Sequence, residues 1–122
     1  MKKYFVKSEN LNNSLVFYRA LFDRMPDRMG VDRMQFTIND FQLEVIEGKA
    51  TEQDADFELR ISDKDKLEKI GARMSRFKSV EKLNSDCEVI DQSIGLIDPD
   101  GYRWVVGNPE AEVRFEKCYV TN

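Results

Sequence analysis

Strand, then helix, then two or three strands is the order read through the first half of this 122-residue chain, and the second half starts it over. A diverged repeat of about half the chain constrains the fold more than any single motif, because each copy must bury the same kind of surface. In the first copy residues 4–8 are short and β-prone, and Asn10 carries a side-chain oxygen able to cap a helix. Leu11, Leu15, Tyr18 and Phe22 follow at spacings of four, three and four, an apolar stripe that Phe17 and Leu21 widen. The helix should end before Pro26, which lacks an amide proton and disfavours helical geometry in its predecessor. Asp-Arg-Met then occurs three times, at 23–25, 27–29 and 32–34, and reads as a solvated connection rather than a methionine-lined lip over a ligand. Met34, Phe36 and Ile38 and, after the Asn39-Asp40 turn, Phe41, Leu43 and Val45 alternate with Arg33, Gln35, Thr37, Gln42, Glu44 and Ile46, which predicts a β-hairpin.

Gly48 to Ala55 is polar and without period, a connector. Beyond it Phe57, Leu59 and Ile61 alternate with Asp56, Glu58 and Arg60 as a strand, and Ser62 followed three residues later by Asp65 resembles a capping box. Leu67, Ile70, Met74 and Phe77 sit at helical spacing. Cys87 with Val89, and Ile94 with Leu96, predict two strands, Asp98-Pro99-Asp100-Gly101 is a turn, and Trp104 and Val106 mark the last strand. The expectation is one α+β domain over 1–122, with a first module at about 1–48, a second at about 55–107 and an extension at 108–122. In that extension Val113, Phe115 and Tyr119 would form an added strand or pack on a partner subunit.

Several chemistries are excluded early. Interspersed charges with a net of -4 argue against a nucleic-acid partner. No apolar run is long enough for a membrane helix, and the opening Met1-Lys2-Lys3-Tyr4-Phe5-Val6-Lys7 turns polar too soon for a signal peptide, so a cytoplasmic protein without a membrane partner is expected. Cys87 and Cys118 lack paired spacing and read as reduced thiols. The chain has no histidine, which removes the commonest general base, the commonest zinc and iron ligand, and every Ser-His or Cys-His nucleophile. Phosphate-binding glycine loops, a GxSxG elbow and HExxH are also lacking.

Asn10-Leu11-x-x-Ser14-Leu15-x-Phe17-Tyr18-x-x-Leu21-Phe22 resembles the signature DLxxSxxFYxxLFG of the vicinal oxygen chelate superfamily, which holds glyoxalases, bleomycin resistance proteins and extradiol dioxygenases. Leu96-x-Asp98-Pro99-Asp100-Gly101-x-Arg103-Trp104 is similar to that superfamily's closing motif FxDPDGxxWE. The resemblance covers residues 1–107 and implies paired βαβββ modules, helices outside, whose curled mixed sheets surround a cavity, often completed in a homodimer. In metal-using members the cavity receives one side chain from the first strand of each module and one from the last. Carried over, these positions fall on Lys3, Glu44, Asp56 and Val105.

Such a set suits a metal poorly, since a protonated lysine repels a cation and valine has no lone pair. The sharper expectation is that the Lys3 ammonium replaces the cation between Glu44 and Asp56. Strand alternation adds Phe5, Lys7, Gln42, Glu58, Arg60 and Arg103 to the lining and turns Trp104, opposite in parity to Val105, into the core. The leading expectation is a metal-free homodimer that binds or sequesters a small organic molecule, as bleomycin resistance proteins do, with no cofactor. The alternatives are a metal-dependent lyase or dioxygenase using Glu44, Asp56 and Glu58 with a divalent ion, and an interaction module without a small ligand.

Overall fold

The structure is a computed structural model, and it describes residues 2–39, 41–75 and 93–107. The expected strand at Cys87 and Val89, the Phe77 end of the second helix, Cys118 and the extension 108–122 lie outside the described residues. Two compact units make up the chain, Met1–Glu52 with Pro99–Gly101, and Gln53–Asp98 with Tyr102–Asn122. Each holds one mixed sheet and one described helix, the α+β class expected.

The first unit runs β1 (Lys2–Ser8), α1 (Leu11–Phe22), β2 (Arg28–Met29), β3 (Arg33–Ile38) and β4 (Phe41–Glu47), with sheet order β1-β4-β3-β2. β1 lies parallel to β4, and the other pairs are antiparallel. Alternation sends Tyr4, Val6, Met34, Phe36, Phe41, Leu43 and Val45 into the core. Against that core α1 packs Ser14, Phe17, Tyr18 and Leu21. The buried stripe is thus rotated from the one read by spacing alone, for Leu11, Leu15 and Phe22 stay half-exposed. Aromatic rings join helix to sheet, Tyr18 to Phe36 at 6.3 Å, Phe22 to Phe36 at 5.3 Å and Phe22 to Phe41 at 5.9 Å. Asn10 caps α1 as its sequence predicts, its Oδ1 accepting from Asn13 N at 3.2 Å. The helix stops at Asp23, left-handed with φ 54°, ahead of Pro26.

One expectation is corrected here. The Asp-Arg-Met segment is not wholly a solvated connection, because Arg28–Met29 pairs with Met34 and Gln35 as an edge strand. Asp27 anchors it, its Oδ2 accepting from Thr37 N and its Oδ1 lying 3.3 Å from Arg24 Nη2. Met25 and Met29 remain exposed, whereas Met34 is core.

The second unit runs β5 (Phe57–Arg60), α2 (Lys64–Met74), β6 (Ser93–Ile97) and β7 (Arg103–Gly107). Its sheet order is β5-β7-β6, with β5 parallel and β6 antiparallel to β7. Asp63, not Ser62, caps α2: its Oδ1 accepts from Asp65 N at 2.9 Å and Lys66 N at 3.4 Å. Ser62, Asp63 and Asp65 all carry side-chain oxygens here, and the Asp63 carboxylate, which also suits the positive end of the helix dipole, takes the cap. Leu67, Ile70 and Met74 are the buried face of α2. A Cβ on Gly71 would lie 3.1 Å from Ile94 Cδ1, so this glycine lets α2 approach β6 closely. Trp104 is fully buried, with Phe57 edge-on at 5.0 Å and Tyr102 stacked on Phe57 at 6.0 Å. The sequence assigned Trp104 to the core, and the core holds it.

Candidate functional site

Because Tyr4 and Val6 point toward α1, Lys3, Phe5 and Lys7 occupy the other face of β1. Register then builds rows across the sheet. Lys3 lies beside Gln42 and, across β4, Thr37; Phe5 beside Glu44, Gln35 and Arg28; Lys7 beside Ile46 and Arg33. Five of the ten site residues read from sequence, Lys3, Phe5, Lys7, Gln42 and Glu44, therefore share one face of one sheet. Phe5 is 56% exposed there, a large apolar ring among polar neighbours. Glu44 is ion-paired, its Oε1 3.1 Å from Arg33 Nη1, and Arg33 Nε lies 3.2 Å from Asp32 Oδ1.

The other five are in the second unit. Glu58, Arg60, Arg103 and Val105 have opposite parity to Leu59, Trp104 and Val106 and share the face away from the core. Asp56, just before β5, joins them through its Oδ1, 3.0 Å from Arg103 Nε. Gln53 fixes the same arginine's backbone: its Nε2 donates to Arg103 O at 2.9 Å and its Oε1 accepts from Arg103 N at 2.8 Å. This side chain fills the ladder position that β5 has not yet reached.

These contacts correct the expected charge arrangement. The cation beside Glu44 is Arg33 and the cation beside Asp56 is Arg103, where the sequence reading placed the Lys3 ammonium at both. Arg33 was the residue missed, although a signal existed. It sits on the strand facing β4 at the parity of Gln35, diagonal to Glu44, within reach of a long side chain. Gln53 carried no such signal, lying in a stretch without period.

The metal expected of the superfamily's enzymes can be tested against this donor set. Two carboxylates already engaged by guanidinium groups, an ammonium and a valine do not suit a divalent ion, which needs several free oxygen, nitrogen or sulfur donors. Among the described residues no three His, Cys, Asp or Glu side chains group closely enough to hold one.

Electrostatics on the first unit follow the same contacts. The Thr37 amide holds the Asp27 carboxyl below the usual carboxylate range against a smaller desolvation effect, and the Thr37 hydroxyl and Arg24 add lesser lowering. Asp32 is lowered by its hydrogen bond and charge attraction to Arg33, and the Arg33 guanidinium is raised in turn, by Asp32 first and Glu44 second.

Both motif regions meet in one polar cluster that runs from two buried serines to the part-exposed Asp100. Ser14 Oγ donates to Asp100 Oδ2 at 3.3 Å, and Asp100 Oδ1 accepts from Glu9 N at 3.1 Å. With its own proton committed, Ser14 accepts from the Ser8 hydroxyl. Ser8 and Ser14 are fully buried, and the chain offers no histidine to activate either. The cluster holds the entry to α1.

No protein-family model and no curated protein sequence matches this chain. Its fold does match solved structures. A glyoxalase/bleomycin resistance protein from Albidiferax ferrireducens superposes with a TM-score of 0.68 at 15% identity, over 89% of this chain and 98% of that one. A mutant of the fosfomycin resistance protein FosX from Listeria monocytogenes, in complex with manganese(II) and a dihydroxypropylphosphonic acid, gives 0.65 at 15% identity over 90% and 91%. The bleomycin resistance determinant encoded on the transposon Tn5 gives 0.64 at 16% identity over 89% and 98%. The chain shares the fold of these glyoxalase/bleomycin resistance and fosfomycin resistance proteins.

Proposed function

We propose that this chain, built on the glyoxalase/bleomycin resistance fold, is a metal-free protein that binds or sequesters a small organic molecule on the first sheet's face away from α1. The observation that carries this reading is Phe5, a ring 56% exposed in the middle of a face whose neighbours are lysine, glutamine and threonine side chains and an ion-paired glutamate. An exposed aromatic ring gives a ligand a surface to stack on, and the polar groups around it can orient what binds there. The pairing of Glu44 with Arg33 and of Asp56 with Arg103 supports binding without a metal. The protein acts as a homodimer, a second copy covering sheet edges that have no neighbouring strand among the described residues.

A thermal-shift screen of small aromatic and polar compounds, run beside elemental analysis of protein purified without added metal, tests the reading. Binding to the folded state raises the melting temperature by mass action. The expected result is stabilisation by organic compounds with substoichiometric metal. About one equivalent of zinc, manganese, nickel or iron would replace this reading with the metal-dependent enzyme, and silence across the library would leave an interaction module.

A further inference from the structure

Charge on the proposed face nearly cancels. Lys3, Lys7, Arg28 and Arg33 share it with Glu44, and two further acids stand at its margin, Asp27 at the Thr37 amide and Asp32 at Arg33. The charged groups nearest Phe5 are engaged: Arg33 Nη1 lies 3.1 Å from Glu44 Oε1, Arg33 Nε lies 3.2 Å from Asp32 Oδ1, and Lys7 has an interaction of its own. Lys3 and Arg28 are exposed, where water solvates them. Hydrogen-bonding capacity is distributed differently. Gln35 and Gln42 are half-buried on the same face, and neither side-chain amide has a hydrogen-bond partner among the described residues. Register places Gln42 diagonal to Phe5 and Gln35 diagonal to Gln42, about 7–8 Å apart in each case. An aromatic ring and two unused amides therefore share one patch of the sheet.

Resting on the ligand surface proposed above, we infer that the ligand is an uncharged planar heteroaromatic with a cyclic amide on its rim: the ring lies on Phe5, and the amide N–H and C=O pair with the side chain of Gln42. A primary amide offers an acceptor oxygen and two donors, so in one plane it receives the N–H of a cyclic amide and gives to its C=O. Gln35, on the next strand, is left to meet a second polar group of the same molecule. A cationic ring would find the one carboxylate beside Phe5 already held by Arg33. An acid would give up hydration for Lys3, an exposed lysine whose ion pairs are worth little. A hydrocarbon ring would cover the two amides and leave them without water or a partner, which costs binding energy.

The test measures binding of 2-quinolinone, N-methyl-2-quinolinone, 2-naphthoate and valerolactam by titration calorimetry, with backbone amide shifts reporting position. The expected order has 2-quinolinone tightest, its affinity little changed by salt because no charge pair forms. Blocking its N–H by methylation should weaken binding about tenfold, and so should Phe5→Ala, with far-UV circular dichroism confirming the fold. Gln42→Leu should weaken 2-quinolinone to the level of its N-methyl derivative and leave the derivative itself unchanged, a coupling that general damage to the surface would not produce. Equal binding of the two quinolinones, or no effect of Gln42→Leu, would overturn the cyclic amide while Phe5→Ala still reports the surface. Tighter binding of 2-naphthoate, weakened by salt, would overturn the uncharged ligand. Binding of none of the four, with silence in the wider compound screen, would overturn the surface itself.

Discussion

Ser14 and Asp100, 86 residues apart in sequence, are joined by a hydrogen bond from the serine hydroxyl to the carboxylate. Each belongs to one of the motif regions by which the chain resembles the vicinal oxygen chelate proteins. The serine of the first and the second aspartate of the closing turn are therefore two halves of one structural contact. Asp100 also receives Glu9 N at the start of α1, where the positive end of the helix favours a carboxylate.

Removing the middle of this chain of hydroxyls should be the costliest step. Ser14→Ala leaves Ser8 without its buried partner and is expected to destabilise by about 1–3 kcal/mol. Ser8→Ala combined with Ser14→Ala should cost less than the two singles added together, since the pair shares one bond. Urea unfolding of the four proteins of this cycle measures both; simple additivity would show that the hydroxyls act independently.

Trp104 offers a reporter for the second unit, being the sole tryptophan of the chain and fully buried. Its fluorescence should be blue-shifted in the native state and move to the red on unfolding. Trp104→Ala should cost about 3–5 kcal/mol. Trp104→Phe, which keeps an aromatic against Phe57, should retain the fold at a smaller loss, read as a denaturation midpoint by circular dichroism.

Acid should expose the role of Asp27. A carboxyl held below its ordinary range by the Thr37 amide stabilises the fold above the unfolded-state value, about pH 4, and the gain disappears as pH falls through the lower native value. Asp27→Asn should therefore be less stable than the parent at neutral pH, and the two should converge in acid. Melting temperatures from pH 2 to 7 check the convergence, and carbon-detected titration of the Asp27 carboxyl checks the direction of its shift.

Sedimentation velocity should give twice the monomer mass at micromolar concentration. Among the described residues the first sheet ends in β1 on one side and the short β2 on the other, and an open edge is a surface for another strand. A monomer across the accessible range would remove the homodimer from the proposed function.

Legibility of the sequence followed the range of the forces involved. Hairpin, helices and last strand were readable because alternation and 3.6-residue spacing are local, and Trp104 could be assigned inward from parity against Val105 alone. The rotation of the α1 stripe toward Ser14, Phe17, Tyr18 and Leu21 was hidden, since a serine at a core position is decided by a partner 86 residues away. The same alternation puts Lys3, Phe5, Lys7, Gln42 and Glu44 on one face of the first sheet. Their partners are not set by alternation, because Arg33 reaches Glu44 across a hairpin and a long side chain selects among several acids by geometry. Gln53 was invisible, for nothing in a polar connector says that one amide will complete a ladder at Arg103.

The bond between Ser14 and Asp100 also sets an order of events during synthesis. A ribosome that has released residues 1–52 has delivered every strand and the helix of the first sheet, but not the carboxylate that receives Ser14 and Glu9. Until residue 100 emerges, Ser14 keeps its hydroxyl proton without its native acceptor, and the start of α1 lacks its anchoring anion. Closing so distant a contact costs loop entropy and slows folding. The first unit is thus made early and finished late, and a nascent chain stalled before Asp100 should be more open to proteolysis at the β1 to α1 junction than the completed protein.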